Sequence, residues 1–242
     1  MLGLVCYRDA GEENGVRTLC GVRFCAVYVV RGGGLRAALS AKRAARYLKK
    51  HRVRCAVFPP DFSAGEAFAR CGVLPPGEIA LRRVMAPEII LCAMAQLGLA
   101  PENSRLALVS AAESAALETA ARSLAHIVRY LTLCTPGGGR IARTLRWDCG
   151  ASVNMAPPGE PLCVGLAVTF DSATLRCTCP VLRLEDETLG VCCRAPLPAG
   201  AERWDARQLL LALFAAGALK REEITVEAVE LPAKTLQNAN FP

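Results

Sequence analysis

RLALVSAAESAALETAARSLAHIVRYLTLC, residues 105–134, holds two short apolar runs on either side of a longer amphipathic segment. Arg105–Ser110 and Val128–Cys134 read as strands, because uninterrupted apolar runs of this length suit strands buried on both faces. Ala112–Ile127 reads as a helix, rich in alanine and free of glycine and proline. Strand, helix and strand in this span make a βαβ unit, in which the two strands run parallel.

The same alternation continues in both directions. Downstream, Ile141–Trp147 reads as a helix and Ala151–Met155 as a strand. Upstream, Leu2–Tyr7 and Val22–Val30 read as strands, joined as a hairpin through the polar link Asp9–Gly15. Leu35–Lys50 reads as a helix, and Arg54–Phe58 as a strand stopped by Pro59 and Pro60. Phe62–Cys71 and Ala86–Leu97 follow as helices, the second with Pro87 in its first turn and Gly98 just past its end. This order predicts Arg54–Phe58, Arg105–Ser110 and Val128–Cys134 parallel in one sheet, with helices on both faces.

After Met155 the rhythm changes. Leu162–Phe170, Leu175–Leu184 and Val191–Ala195 are strand-like runs separated by short polar links, which suit antiparallel hairpins. A helix at Asp205–Ala216 and a strand at Ile224–Val229 close the pattern. The expected fold is therefore α/β: a Rossmann-like three-layer core with a mainly parallel sheet, plus antiparallel β-hairpins at the N-terminus and in residues 160–198. Its expected division is an N-terminal α/β lobe with a basic helix (1–100) and a βαβ lobe with a β-meander and a C-terminal helix (101–242), or one continuous domain.

With 52% hydrophobic and 21% charged residues in 242, the chain can bury a sizeable core and is not disordered. No apolar run is long enough for a membrane span, and the N-terminus lacks the pattern of a secretory signal. Thirteen cysteines are present, mostly inside apolar runs and with no C-x-x-C pair. Such residues behave as small buried hydrophobes, so the expectation is a reduced, cytoplasmic protein without a metal site.

The βαβ unit raises the question of a nucleotide. Dinucleotide folds carry G-x-G-x-x-G in their first strand-to-helix turn, so that backbone can approach a pyrophosphate. Here that turn is Ser110–Ser114, SAAES, with no glycine and with Glu113 expected in the helix's first turn, where a carboxylate repels phosphate. The glycines Gly137, Gly138 and Gly139 come instead after the second strand, followed by Arg140. In dinucleotide folds that position lies near the adenosine ribose, where an arginine can meet a 2′-phosphate. Ser110, Thr135, Gly137, Gly138, Gly139 and Arg140 are thus the candidate ligand contacts, although a glycine run after a strand is first of all a turn.

The net charge of +7 belongs to the first quarter of the chain. Residues 1–60 carry 12 Lys or Arg against 3 Asp or Glu, and no acid lies between Glu13 and Asp61. On the helix Leu35–Lys50 the alanines share one side, while Arg36, Lys42, Arg43, Arg46, Lys49 and Lys50 gather on the other. With Arg31 these are candidate anion contacts, for an acidic protein or a polyanion meeting the basic segment 35–54. A solvated surface is the plain alternative.

Little else carries chemistry. The two histidines, His51 and His126, stand in no catalytic motif, and a cysteine nucleophile beside either is not assignable from sequence. Cys177, Cys179, Cys192 and Cys193 fall on expected neighbouring strands and read as core residues, and Glu185–Glu187 reads as a solvated hairpin tip. No cofactor is identified. The leading reading is a non-catalytic binding, regulatory or assembly protein on a degenerate Rossmann-like scaffold. Its rivals are a nucleotide-dependent enzyme (an NADP oxidoreductase or transferase with a divergent phosphate loop) and a binder of nucleic acid or another polyanion.

Overall fold

A computed structural model of the chain describes residues 1–8, 12–233 and 235. Asp9, Ala10 and Gly11, part of the expected polar link, lie outside the described residues. The chain forms two compact units, Met1–Glu78 with Ala195–Ile224 and Ile79–Arg194 with Thr225–Pro242.

The first unit opens with β1 (Leu2–Tyr7), β2 (Gly15–Leu19), β3 (Val22–Val29), α1 (Leu35–Lys50), β4 (Ala56–Val57) and α2 (Gly65–Ala69). Its sheet has the order β2-β3-β1-β4, with β1 parallel to both β3 and β4. The N-terminal hairpin is real but joins other strands than expected. β2 and β3 pair antiparallel across Cys20 and Gly21, both at positive φ, as a two-residue hairpin turn requires. Leu2–Tyr7 runs parallel to β3 instead. Helix α1 carries the chain from β3 across to β4 and buries Ala37, Ala41, Ala44, Ala45 and Leu48. Of these, Ala41, Ala44, Ala45 and Leu48 pack in one cluster with Val5, Val27 and Val29 of the sheet.

The second unit continues with α3 (Ile79–Val84), α4 (Ala86–Gln96), β5 (Arg105–Val109), α5 (Ala115–Leu124), β6 (Tyr130–Cys134), α6 (Gly139–Cys149) and β7 (Val153–Met155). Then come β8 (Pro161–Leu162), β9 (Leu166–Thr169), β10 (Arg176–Cys177), β11 (Val181–Arg183) and β12 (Gly190–Arg194). Five strands form one wholly parallel sheet in the order β11-β9-β5-β6-β7. Starting at the centre, building to one edge and then returning to build the other is the doubly wound Rossmann-type order.

Register sorts the side chains of this sheet. Leu106, Leu108, Leu131, Leu133, Leu166 and Val168 share one side, and Ala107, Val109, Cys134 and Ala167 the other. Right-handed crossovers put α5 and α6 together on one side, where their buried faces (Leu117, Leu124, Ile141, Leu145) meet the large residues. The small residues pack on Leu162 and Cys179 of the segment around β8 and β10. The layer on that side is therefore a two-stranded parallel ribbon with loops rather than the expected helices.

The chain then returns to the first unit with α7 (Ala206–Ala215), whose start is pinned to the end of β4. Asp205 N–H donates to Phe58 O (2.9 Å), and Phe58 N–H donates to Gln208 Oε1 (3.0 Å). β13 (Thr225–Glu230) ends the second unit by pairing antiparallel with β12. Among the described residues no helix is long and apolar enough to cross a membrane.

Both a mainly parallel sheet and antiparallel pairs are present, but several placements differ from the sequence expectation. Arg54–Phe58 contributes only Ala56–Val57, and to the first unit's sheet rather than to that of β5 and β6. Within 160–198 the strand pairs β8–β10 and β9–β11 are parallel, and β12 finds its antiparallel partner in β13. The compact units do not divide at residue 100, since α3 and α4 belong with the second and Ala195–Ile224 with the first.

Candidate functional site

In a doubly wound sheet the ligand crevice lies at the carboxyl ends of the two strands where the winding reverses. Here those strands are β5 and β9, and the residues that follow them are Ser110 and the pair Phe170, Asp171. Asp171 fills the crevice itself. Its carboxylate accepts from Ala111 N–H at 3.0 and 2.9 Å, from Ala173 N–H at 3.0 Å and from the Ser110 hydroxyl at 2.7 Å. Burial alone would raise its pKa, but these donors and the Arg83 charge outweigh burial and hold the carboxyl below its ordinary value. Asp171 is the residue that sequence reasoning missed. The signal was its position directly past a strand, matching that of Ser110.

Helix α3 closes the same region. Arg83 Nε donates to Phe170 O (3.2 Å), and its guanidinium pairs with Glu185. The buried Arg82 donates to Asp186 O at 2.6 Å. The run Glu185–Glu187 is thus a loop held by two arginines, not a solvated hairpin tip, since β11 and β12 do not pair.

The glycine turn is tied to the neighbouring turn. Gly137 stands at φ +74°, and a Cβ there would lie 2.7 Å from Glu113 Oε1. Glu113 in turn accepts from Arg140 Nε (3.1 Å) and Nη2 (3.0 Å), and Glu118 accepts from the same Nη2 at 3.0 Å. Arg140 therefore already has two carboxylate partners where a 2′-phosphate would have to stand. Helix α5 starts later than expected, with Ser114 as its cap accepting from Leu117 N–H at 3.2 Å. Glu113 precedes the cap, and the first-turn acid is Glu118. Ser110 and Thr135 are both buried at strand ends, joined through Ser110 N–H donating to Cys134 O at 3.1 Å. Gly138 caps α6 and Gly139 begins it. The structure thus brings Ser110, Thr135, Gly137, Gly138, Gly139 and Arg140 to one rim, where the protein's own carboxylates meet Ser110 and Arg140.

The first unit is the opposite case. Arg36, Lys42, Arg43, Arg46, Lys49 and Lys50 are all exposed, and none of them is in an ion pair among the described residues. Arg36 and Arg43 line a cleft of about 660 Å³ with Arg8, while Lys42, Arg46, Lys49 and Lys50 lie off it, Lys42 beside α2 and Lys49 beside Arg52 and Arg54. Arg31 stacks its guanidinium over Tyr7, 5.0 Å from the ring centre.

The remaining candidates stay apart. His51 caps the end of α1 beside Tyr47, with ring centres 4.4 Å apart. Cys177 belongs to the β8–β10 ribbon and Cys192 and Cys193 to the β12–β13 pair, so these cysteines do not sit on neighbouring strands. Burial raises Cys179 to about 12. All thirteen cysteines are free, and among the described residues no group of three His, Cys, Asp or Glu side chains is placed to hold a metal ion.

No protein-family model matches the chain, and no curated protein matches it in sequence. Among solved structures it is similar to the A chain of dipicolinate synthase from Bacillus subtilis, at 12% identity and a TM-score of 0.35 over 69% of this chain. The matched region spans 53% of that chain, about half its length. It is also similar to aspartate transcarbamoylase from Trypanosoma cruzi, at 11% identity and a TM-score of 0.29, over 90% of this chain and 80% of that one. Similarity of this degree assigns neither ligand nor reaction.

Proposed function

We propose that the chain is a non-catalytic binding protein whose second unit keeps the Rossmann-type winding without its nucleotide site. One observation carries this reading: the Asp171 carboxylate sits on Ala111 N–H at 2.9–3.0 Å, at the winding reversal where a pyrophosphate would need that donor. A phosphate placed there would meet a like charge in a site already satisfied. Location in a reducing cytoplasm is part of the proposal, supported by thirteen unbridged thiols.

Calorimetric titration with NAD and NADP tests it. Neither should bind below about 1 mM, which corresponds to roughly −4 kcal/mol. Micromolar binding of either would overturn the reading. If Arg140→Ala then weakened NADP more than NAD, the rival enzyme with Arg140 on the 2′-phosphate would stand in its place.

A second reading, a polyanion binder, is favoured by the exposed Lys42, Arg46, Lys49 and Lys50, whose charges no carboxylate of the described residues offsets. Their binding would be salt-dependent through counterion release.

A further inference from the structure

The cleft of the first unit lies at the carboxyl ends of β1 and β3, beside the N-terminal half of α1. Arg8 follows β1, Val30 follows β3, and Arg36, Leu39, Ser40 and Arg43 come from the helix. At about 660 Å³ it falls in the size range of small-molecule clefts. We propose that this cleft binds a small phosphate monoester as its dianion, with the organic body of the ligand against Val30 and Leu39.

Charge defines the class. Arg8, Arg36 and Arg43 face two acids of the cleft wall, Glu12 and Glu13. Glu12 is already matched outside the cleft by Arg203 at 3.7 Å and Arg17 at 4.0 Å. Among the described residues of the wall, three guanidiniums against the one carboxylate of Glu13 leave a surplus of two positive charges. A monoester phosphate carries between one and a half and about two negative charges at neutral pH. A diester carries one and leaves the surplus half satisfied. Arginine also presents a planar fork that suits phosphate oxygens.

Two neutral donors are held in place by backbone. Ser40 Oγ accepts from Val30 N–H at 3.1 Å, which leaves its proton to donate elsewhere. Asn14 Oδ1 accepts from Tyr28 N–H at 2.9 Å, which leaves its amide hydrogens free in the same way. Neither donor has an acceptor among the described residues. Each stays where the strand end fixes it, and neither has to be reoriented to meet a phosphate oxygen.

The apolar wall supplies the second half of the ligand. Val30 and Leu39 are 42% and 46% exposed, large side chains left open on the lining of a charged cleft. Covering them with carbon removes apolar surface from water. A polyanionic chain would present mainly phosphate and sugar here. A compact monoester with an apolar or flat body satisfies both walls at once. The proposal is independent of the crevice in the second unit, since it uses none of its residues.

Phenyl phosphate is the probe, titrated into the full chain by calorimetry and compared with diphenyl phosphate and inorganic phosphate. Phenyl phosphate should bind saturably and about tenfold or more tighter than the diester, a difference of roughly 1.4 kcal/mol. Arg43→Gln and Arg36→Gln should each weaken it about tenfold or more while leaving the melting temperature unchanged, because both side chains are exposed. Leu39→Ser should weaken phenyl phosphate and leave inorganic phosphate unaffected. Lys42→Glu with Arg46→Glu, off the cleft, should weaken both less than Arg43→Gln does, since neither side chain lines the cleft. No saturable binding up to about 10 mM, or equal affinity for monoester and diester, would overturn the proposal. So would an off-cleft reversal that weakens phenyl phosphate as much as Arg43→Gln does. Capture of duplex DNA by a chain that ignores phenyl phosphate would also overturn it, in favour of the polyanion reading. None of these outcomes depends on whether NAD or NADP binds.

Discussion

At the carboxyl ends of their parallel strands, the two units treat polar groups in opposite ways. In the second, charges at the rim meet counterparts from the same chain: Ser110 with Asp171, Arg140 with Glu113 and Glu118, Arg83 with Glu185. In the first, Arg36 and Arg43 open onto a cleft with no ion-pair partner among the described residues. Buried polar groups must be satisfied by protein or by ordered water, whereas exposed ones are met by solvent and stay open to a ligand. A rim that satisfies itself stabilises the fold, whereas a rim that does not retains capacity for binding. The sheets alone would suggest the reverse, since the second unit has the dinucleotide-type winding.

The sharpest way to break the contrast is to remove Asp171. Asp171→Ala strips the acceptor from Ala111 and Ala173, while the Ser110 hydroxyl keeps Ala112 O at 2.7 Å, and charge-assisted hydrogen bonds are worth about 1.5–3 kcal/mol each before compensation by water. Urea denaturation should show a loss of about 2–3 kcal/mol. A loss under about 0.5 kcal/mol, the range of ordinary surface changes, would mean that the crevice is not held by this residue. The pH dependence has a defined sign. The folded-state pKa is lowered below 3.8, so the ionised group stabilises the fold above that value. The advantage of wild type over Asp171→Asn should therefore be constant at neutral pH and shrink as pH falls below about 3.8 toward the lowered value.

A smaller effect is expected at Gly137. Alanine there must adopt φ near +74°, which costs an L-residue about 1–2 kcal/mol, and its Cβ would displace Glu113 from Arg140. Gly137→Ala should destabilise by that amount in the same urea measurement. An unchanged midpoint would show that the turn tolerates another conformation and that the Glu113–Arg140 clasp is not coupled to it.

How far these features were legible in the sequence follows from the range over which each signal acts. The βαβ unit at 105–134 was legible because its leucine-rich strands and its helix are local patterns. The pairing of β1 with β3 was not. The segments are neighbours in sequence and suggested a hairpin, while the actual turn is Cys20–Gly21, where only the glycine signals positive φ. Parallel pairing of β9 with β11 was hidden for a related reason: short polar links suit hairpins, and the crossing segment here has almost no helix. At the candidate site, the strand-end positions of Ser110 and Thr135 were readable. Their closure was not, because Asp171 and Glu185 follow β9 and β11, which only the sheet order puts on this side of β5. On α1 the periodicity separated buried alanines from cations correctly. It did not divide the cations between cleft and outer surface, since that depends on what β1 and β3 bring alongside.

The smallest effect on stability is expected on that outer surface. Lys42, Arg46, Lys49 and Lys50 are exposed, and replacing the first two with glutamate removes no hydrogen bond or ion pair of the described residues. Lys42→Glu with Arg46→Glu should therefore shift folding stability by no more than about 0.5 kcal/mol. The same variant decides what the surface is for. A polyanion held by these side chains would release counterions on binding, so its retention must fall by orders of magnitude between about 50 and 200 mM salt. Filter binding of a DNA duplex at those two concentrations reads this directly. With the cleft as the binding site, the wild type should be retained weakly or not at all at either salt, and the reversal should change nothing. Retention at low salt that vanishes at high salt, and is absent from the reversed variant, would move the binding function of the first unit from its cleft to its outer surface. That would also erase the distinction between the charges that line the cleft and those that only solvate the helix.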